Sequence, residues 1–470
     1  MHLTRWFPAL LFRLSVLSFS SKRPTPVAPS VPPPNVVFIL ADDLGWADLG
    51  CYGNPYNRTP HLDSLARRGV RFTQAYAAAP VCSPSRVAIL TGKHPARLHL
   101  TNFLVGERRD SASRLAPARW RKYLPASEVT MAELLRQQGY ATGMVGKWHL
   151  GGADTLNPTA QGFDYERQIG RNGLDYYRYS ITANNRAIFT DTGTVYLTDR
   201  LTDYALDFLD QNRQRPFFLY LTYSAPHVTL VPRGDKLNHY LMKYEKYGGK
   251  YNPSYGAMIE SLDDGVGRVL KKLADLGLRE NTLVVFTSDN GGVGLSELGP
   301  TPTSNAPLRS WKGHMYEGGI RVPLVMAWPG QLPANTTQTA YLTGTDFLPT
   351  LADVLGLTPL PLNLDGKSFY PLLSGKGTYQ RGPIFWHYPH FSNQLGRPAA
   401  AVRDGDYKLI EHYETGRLEL YNLASDLSEQ HDLARQLPQK TKELYARLVQ
   451  WRKNVNANMP EPNPLVVKRN

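Results

Sequence analysis

The chain has 470 residues, 42% of them hydrophobic and 20% charged, with 27 tyrosines, a composition that excludes an intrinsically disordered protein. Its formal net charge of +13 admits nucleic acid, a membrane surface or an acidic substrate as partner, but no zinc-finger spacing or RNP-type aromatic motif accompanies the charge. With only two cysteines, Cys51 and Cys82, a disulfide framework is excluded.

Residues 1–22 have the outline of a secretory signal, with Arg5 before an apolar run that Arg13 interrupts, so an exported chain, periplasmic or secreted, is expected. Residues 23–34 are too rich in proline for helix or central strand and form a linker. Beyond them no run approaches the roughly eighteen apolar residues of a membrane helix, and the mature chain is expected to lack an integral membrane segment.

Val36-Val37-Phe38-Ile39-Leu40 is the pattern of a strand buried on both faces, and Asp42-Asp43 follow at its carboxyl end. A helix after Pro60 carries Leu62, Leu65 and Ala66 and closes at Gly69. Cys82-Ser83-Pro84-Ser85-Arg86 through Leu90-Thr91-Gly92 predicts a short helix, with Pro84 in the first helical position and Gly92 just past the end. Cys82 then sits at the positive helix start, where free amides favour an anion, and Arg86 one turn on can offer a fork of donors.

Thr130-Met131-Ala132-Glu133 is a capping box opening a helix towards Gly139, and the strand Ala141 to Val145 then delivers Gly146-Lys147-Trp148-His149. Leu201, Tyr204, Ala205, Phe208 and Leu209 mark a helix before the strand Phe217 to Leu221 and the turn that holds His227. A long helix from Met258 to Leu273 leads into the strand Leu283 to Thr287, followed by Asp289-Asn290-Gly291-Gly292. Strands alternating with helices predict an α/β fold, a large mixed and mostly parallel sheet flanked by helices.

From about residue 381 the pattern turns to short strands, Tyr407 to Ile410 and Leu418 to Tyr421, and a last helix near Lys440 to Lys453. We therefore expect a main domain over 35–380, a C-terminal α+β subdomain with a short antiparallel sheet over 381–455, and a tail over 456–470.

Open parallel sheets bind ligands beyond the carboxyl ends of their strands, which is where Asp42, Asp43, Lys147, His149, His227, Asp289 and Asn290 fall. The oxygen donors among them suit calcium, with magnesium second, rather than zinc. Taken singly, Asp42-Asp43 or Asp289-Asn290 would serve as a cap or turn, Lys147 and His149 as surface groups, His227 as a structural histidine and Lys312 as a loop lysine.

Together with Cys82, Pro84, Ser85, Arg86, Leu90, Thr91 and Gly92 they match, in chain order, the pattern of a known protein family. The sequence resembles the formylglycine-dependent (type I) sulfatases, arylsulfatase-like enzymes of the alkaline phosphatase superfamily. The resemblance runs from about Asn35 to Ala434. It implies a sulfuric ester hydrolase acting on a sulfated carbohydrate, with Cys82 oxidised to formylglycine by a formylglycine-generating or sulfatase-maturing enzyme. It further implies that Asp42, Asp43, Asp289, Asn290 and the modified Cys82 bind Ca2+. Arg86 would hold the aldehyde hydrate, Lys147 and Lys312 would bind sulfate, and His227 would protonate the leaving oxygen. Asp289 would activate the attacking hydroxyl, and His149 would accept the proton when sulfate departs.

Two other readings stay open. One is a phosphoester or phosphonate monoester hydrolase of the same superfamily, the other a catalytically silent carbohydrate-binding relative. Arg97, Arg108, Arg109, Arg114, Arg119, Arg121 and Lys122 could meet an anionic polysaccharide or form a solvated face. Trp386-His387-Tyr388-Pro389-His390 could reach the pocket rim or pack between subdomains.

Overall fold

The computed structural model describes residues 2, 32–104, 113–152, 156–170, 175–295, 301–361 and 363–467. All of the expected leader but residue 2, nearly all of the proline linker, and Arg108 and Arg109 lie outside the described residues. The elements below all belong to the compact unit Pro33–Asn470.

In chain order it runs β1 (Asn35–Ala41), α1 (Pro60–Arg67), β2 (Val70–Tyr76), α2 (Cys82–Thr91), β3 (Leu115–Ala116), α3 (Met131–Gln137), β4 (Ala141–Gly146), β5 (Tyr165–Ile169), β6 (Ser180–Ala183) and β7 (Arg186–Thr190). Then come α4 (Leu197–Asn212), β8 (Phe217–Thr222), α5 (Gly234–Tyr244), α6 (Pro253–Asp275), β9 (Thr282–Ser288), α7 (Glu317–Ile320), β10 (Arg321–Ala327), β11 (Thr336–Gln338), β12 (Leu342–Thr343), α8 (Phe347–Leu355) and α9 (Tyr370–Ser374). The C-terminal part holds β13 (Ile384–Tyr388), β14 (Ala399–Asp404), β15 (Tyr407–His412), β16 (Arg417–Asn422), α10 (Pro438–Asn454) and β17 (Glu461–Pro462).

Eleven strands form one sheet in the order β11-β2-β10-β9-β1-β8-β4-β5-β6-β7, with β12 also on β2. The centre, β9, β1, β8, β4 and β5, is parallel; β10 runs antiparallel between β9 and β2, and β6 and β7 close the far edge as an antiparallel pair. The apolar run of β1 needs two covered faces and has them. Val37, Ile39 and Ala41 join the core beneath α1, α4 and α6, whereas Val36, Phe38 and Leu40 face the core beneath α2, α3 and α8. The same alternation splits Leu283 and Val285 from Val284 and Phe286 on β9. The mixed, mostly parallel sheet with flanking helices is the fold the sequence implies.

The four strands β13-β14-β15-β16 make a second, antiparallel sheet. One face packs Ala400, Val402, Leu409 and Leu420 on Leu444 and Leu448 of α10. The other packs Trp386, Ala401, Ile410 and Tyr421 on Tyr76, Val81, Met315 and Ile320 of the main sheet's side. Trp386 and Tyr388 are fully buried; the Trp386 indole donates to the Ala77 carbonyl (2.8 Å) and the Tyr388 hydroxyl to Asn102 (3.1 Å), so this aromatic run packs between the two sheets. Residues read as a tail return to the body. β17 pairs with β3, and the Asn458 carbonyl meets His387 Nε2 at 2.9 Å. Among the described residues no helix is long and apolar enough to cross a membrane.

Candidate active site

The carboxyl ends of β1, β4, β8 and β9 lie side by side, since these strands are parallel and adjacent, and each delivers its functional residues at the same edge. The turn after β4 requires glycine. Gly146 has φ of 115°, and a Cβ there would stand 1.9 Å from the Thr222 carbonyl oxygen of the neighbouring strand. Asp43 (φ 64°) and His149 (φ 60°) hold the left-handed conformation without being glycine, and backbone strain of this kind concentrates at functional sites.

α2 begins at Cys82 itself, two residues earlier than a helix started by Pro84 would, with Val81 as its extended cap residue. Pro84 still falls in the first turn, where its missing N–H leaves no hydrogen bond unmade. Gly92 closes the helix at φ 65° with its N–H on the Ala88 carbonyl. All ten helical residues are buried, so the helix serves to place Cys82 and Arg86 rather than to cover a surface.

Cys82 Sγ is 3.6 Å from Asp42 Oδ1, and burial pushes the thiol up to about 12 against the opposing pull of Lys147 and Lys312. Arg86 spans two strand ends. Its Nε donates to Asp289 Oδ2 at 2.9 Å and Nη1 to the Lys147 carbonyl at 2.7 Å, while Nη2 lies 2.8 Å from Asp289 Oδ2 and 3.5 Å from Asp42. Lys147 donates to Asp42, and Lys312 Nζ stands 2.7 Å from Asp43 Oδ1. His227 Nε2 is 3.5 Å from Asp43 Oδ2. Asn290 Nδ2 donates to Asp43 Oδ1 at 2.8 Å, while the Asp43 N–H donates to Asp289 Oδ1 at 3.3 Å.

Every residue the sequence singles out for the site is thus in one largely buried cluster. Ligand atoms of Asp42, Asp43, Cys82 and His227 lie within 4.8 Å of one another; Asp289 is drawn towards Arg86, and Asn290 is held by Asp43. Asn290 Oδ1 is buried with no hydrogen-bond partner among the described residues. An open amide oxygen on a residue hydrogen-bonded to Asp43, together with the buried carboxylates Asp42, Asp43 and Asp289, is a donor set of hard oxygens, so the residues present fit the metal that the sequence implies.

Burial raises the two carboxylates Asp42 and Asp289 alike, but their neighbours separate them. The cations Lys147, His227, Arg86 and Lys312 outweigh burial at Asp42 and hold it well below the usual carboxylate range. Asp289, raised by burial and also repelled by Asp42, is pushed up to about 6. His149 is pushed well below its ordinary value by burial and then by Lys147 and Arg86. Its Nε2 is 3.1 Å from the Leu104 carbonyl, an acceptor that fixes the proton on Nε2 and leaves the lone pair on the buried Nδ1, which has no hydrogen-bond partner among the described residues. His227 is lowered to about 4, chiefly by burial.

Motif reading misses Tyr255, an ordinary apolar position on α6, whose hydroxyl donates to the Asp43 carbonyl (3.1 Å) and to Asp48 Oδ2 (2.7 Å). It also misses Ser83, whose hydroxyl oxygen accepts the Leu104 N–H at 3.2 Å and so ties the loop beside His149 to the helix of Cys82. Neither carries a sequence signal beyond its neighbours.

Residues 34–357 match the sulfatase family model, and residues 310–455 match the model described as N-sulphoglucosamine sulphohydrolase, C-terminal. The chain belongs to the sulfatase family. This sulfatase is 38% identical to human arylsulfatase A over 80% of its own length and 74% of that protein's. It is 34% identical to N-acetylgalactosamine-6-sulfatase of Canis lupus familiaris over 80% of its own length and 71% of that protein's. Among solved structures it resembles Ps i-CgsB, with 29% identity and a TM-score of 0.76 over 89% of this chain and 92% of that one; Ps i-CgsB has also been solved with k-i-k-neocarrahexaose bound. The protein is therefore a sulfatase, an enzyme of sulfate ester hydrolysis.

Proposed function

We propose that this sulfatase releases inorganic sulfate from a sulfated carbohydrate, with Cys82 converted to formylglycine and a calcium ion held by Asp42, Asp43, Asp289, Asn290 and the modified side chain. The observation that carries the reading is the convergence of Cys82, at the first turn of a buried helix, with three carboxylates and the cations Arg86, Lys147 and Lys312. An aldehyde hydrate has two hydroxyl groups, one to take the sulfuryl group and one to expel it, whereas an ester on a simple alkoxide or thiolate would be stranded. A divalent cation bound there would supply charge stabilisation to the nucleophilic oxygen.

The chain's own side chains supply the rest. Lys147, Lys312 and Arg86 place positive charge around the sulfate oxygens, the electrostatic contribution that usually dominates such reactions. Asp289, near pH 6, accepts the proton of the attacking hydroxyl. His227 gives a proton to the departing oxygen; an anionic ester beside its ring favours the charged form that burial opposes. His149 Nδ1, held neutral and without a partner among the described residues, takes the proton of the second hydroxyl as sulfate leaves and the carbonyl re-forms.

A sulfated sugar as substrate is supported by the names of N-acetylgalactosamine-6-sulfatase and of the neocarrahexaose complex. We assign 35–380 as the catalytic domain, 381–455 as its C-terminal subdomain, and 1–22 as an export signal, with a formylglycine-generating or sulfatase-maturing enzyme as biosynthetic partner. The test is sulfate release from defined sulfated galactans and glycosaminoglycan sugars and from an aryl sulfate, beside the matched phosphate esters. Turnover of the sulfated sugars that disappears in Cys82→Ala is the expected result. Activity that survives the substitution, or a large preference for the phosphate ester, would overturn the reading.

A further inference from the structure

Helix α5 lies antiparallel on α6, with Lys236 beside Glu260 (3.4 Å) and Asp264 (2.6 Å) and with Tyr240 packed against Gly256. Its two halves treat charge differently. In the first, Arg233 pairs with Asp199 (2.6 Å) and Asp235 (2.9 Å), and Lys236 with Glu260 and Asp264, so each cation has a carboxylate. In the second half and the turn beyond it, Lys243, Lys246 and Lys250 make no ion pair among the described residues. Lys246 and Lys250 are exposed, and Lys243 reaches the Tyr56 carbonyl at 3.5 Å and lies 5.7 Å from the centre of the Tyr240 ring.

Arg58, on the loop after β1, extends the group; it is half exposed and has Glu260 at 3.4 Å as its single ion-pair partner among the described residues. The cations feel one another: partial burial, then Arg58 and Lys246, lowers Lys243, and burial followed by Lys243 and Arg58 lowers His239. Glu260 is the one carboxylate that opposes this crowding at Lys243 and His239, and cations that outnumber their counterions in this way mark a surface that gains from a polyanion.

Tyrosine rings are interleaved with these cations. Tyr56 stacks on Tyr251 at 5.0 Å, Tyr247 meets Tyr56 and Tyr251 edge-on, and Lys250 Nζ lies 5.4 Å from the Tyr251 ring. The half-buried rings of Tyr247 and Tyr251 give this face flat apolar area between charges, which suits a sugar ring flanked by sulfate groups.

The patch is tied to the catalytic edge. Arg58 N–H donates to Tyr240 at 3.1 Å, and Asn57 in the same loop donates to the Asp48 carbonyl at 2.9 Å. Asp48 in turn shares the Tyr255 hydroxyl with the carbonyl of Asp43.

We infer that Arg58, Lys243, Lys246 and Lys250, with Tyr247 and Tyr251, form a second binding surface for a sulfated polysaccharide, beside the catalytic centre. This rests on the proposed sulfated-carbohydrate substrate for its choice of polyanion. It adds that the enzyme grips a polymer beyond the sugar whose ester is cleaved.

The test compares the affinity of the full chain for dextran sulfate, uncharged dextran and single-stranded DNA at low salt. Variants are Lys243→Gln/Lys246→Gln/Lys250→Gln and, separately, Arg58→Gln, each checked for an unchanged unfolding midpoint. The expected result is affinity for dextran sulfate that falls about tenfold in the triple variant and less in the single one, with no binding of dextran. Unchanged affinity in the triple variant would overturn the inference, as would loss of DNA binding alone. Cys82→Ala separates the two readings: retained affinity in that inactive variant is expected here. A wild type that binds dextran sulfate through these lysines but hydrolyses no sulfate ester would sink the proposed reaction and leave this surface standing.

Discussion

Two clusters of buried charge sit within this molecule, and they are built to opposite rules. At the strand ends, Asp42, Asp43 and Asp289 face Arg86, Lys147 and Lys312, and polar atoms are left open: Asn290 Oδ1 and His149 Nδ1 have no hydrogen-bond partner among the described residues. Between the main sheet and the C-terminal one, Lys408 Nζ donates to Glu317 and Glu429, each at 2.9 Å. Glu317 also accepts from Arg321 Nε and from the Tyr76 hydroxyl, each at 2.7 Å, and the second Glu429 oxygen accepts the Glu317 N–H at 2.7 Å.

No side-chain atom of Glu317, Glu429, Lys408, Arg321 or Tyr76 is left unpartnered. A closed network of this kind fixes how two sheets meet, while an open one has donor and acceptor capacity for a ligand. Burial alone does not separate these two clusters; the unfinished hydrogen bonding of the first does.

The largest expected effect falls on the open cluster. Cys82→Ala should lower sulfate release by at least about 10⁴-fold, as loss of a nucleophile does, while the unfolding midpoint stays close to wild type. A parallel loss of fold would mean that Cys82 is a packing residue. The closed cluster should behave in reverse. Lys408→Met strands two carboxylates in the interior and should cost about 3–5 kcal/mol of stability, read from denaturant midpoints, with turnover per folded molecule retained.

Adding calcium sharpens the same contrast. It should stabilise the wild type, by about 2.7 kcal/mol at a hundredfold excess over the dissociation constant, and should fail to do so in Asp43→Asn. An equal gain in both would place the ion elsewhere.

A smaller effect concerns the histidines around the C-terminal sheet. Burial lowers His94 to about 4 and His387 to about 3, and each ring is engaged with a carbonyl, Phe385 for His94 (3.0 Å) and Asn458 for His387 (2.9 Å). In the unfolded chain each takes up a proton near the ordinary value of 6.5. Between that pH and the folded values the unfolded state binds more protons. Their contribution is therefore complete above about pH 6.5 and is lost as pH falls towards 4 and then 3. Urea midpoints followed from about pH 7 down to 4 should decline, and His94→Asn should make the decline shallower.

Much of the open cluster is legible in the sequence because parallel strands announce themselves. A strand buried on both faces is an unbroken apolar run, and the polar residues that follow it must stand at the carboxyl edge; Asp42-Asp43 after Leu40 and Asp289-Asn290 after Thr287 are both of this form. Less of the closed cluster can be read. β2 mixes Arg71, Thr73 and Gln74 with apolar positions, and β10 contains Pro323, so neither looks like an inner strand, yet their antiparallel pairing with each other, and that of β10 with β9, is what brings Glu317 and Arg321 towards Lys408.

Arg97 shows the limit of reading charge runs. By sequence it belongs with the cations that could meet a polysaccharide, but two of its donors are taken by Asp365, at 2.8 and 2.6 Å. At the end of α5 the reverse holds: Lys243, Lys246 and Lys250 form no charge run in the sequence, and only the packing against α6 separates them from the paired Lys236.

The proposed reaction depends above all on the chemical state of one side chain. Mass spectrometry of the tryptic peptide that contains Cys82, taken from enzyme whose sulfate-ester turnover has been measured, should find an aldehyde in place of the thiol. A fully active preparation in which that peptide carries an unmodified cysteine would contradict it.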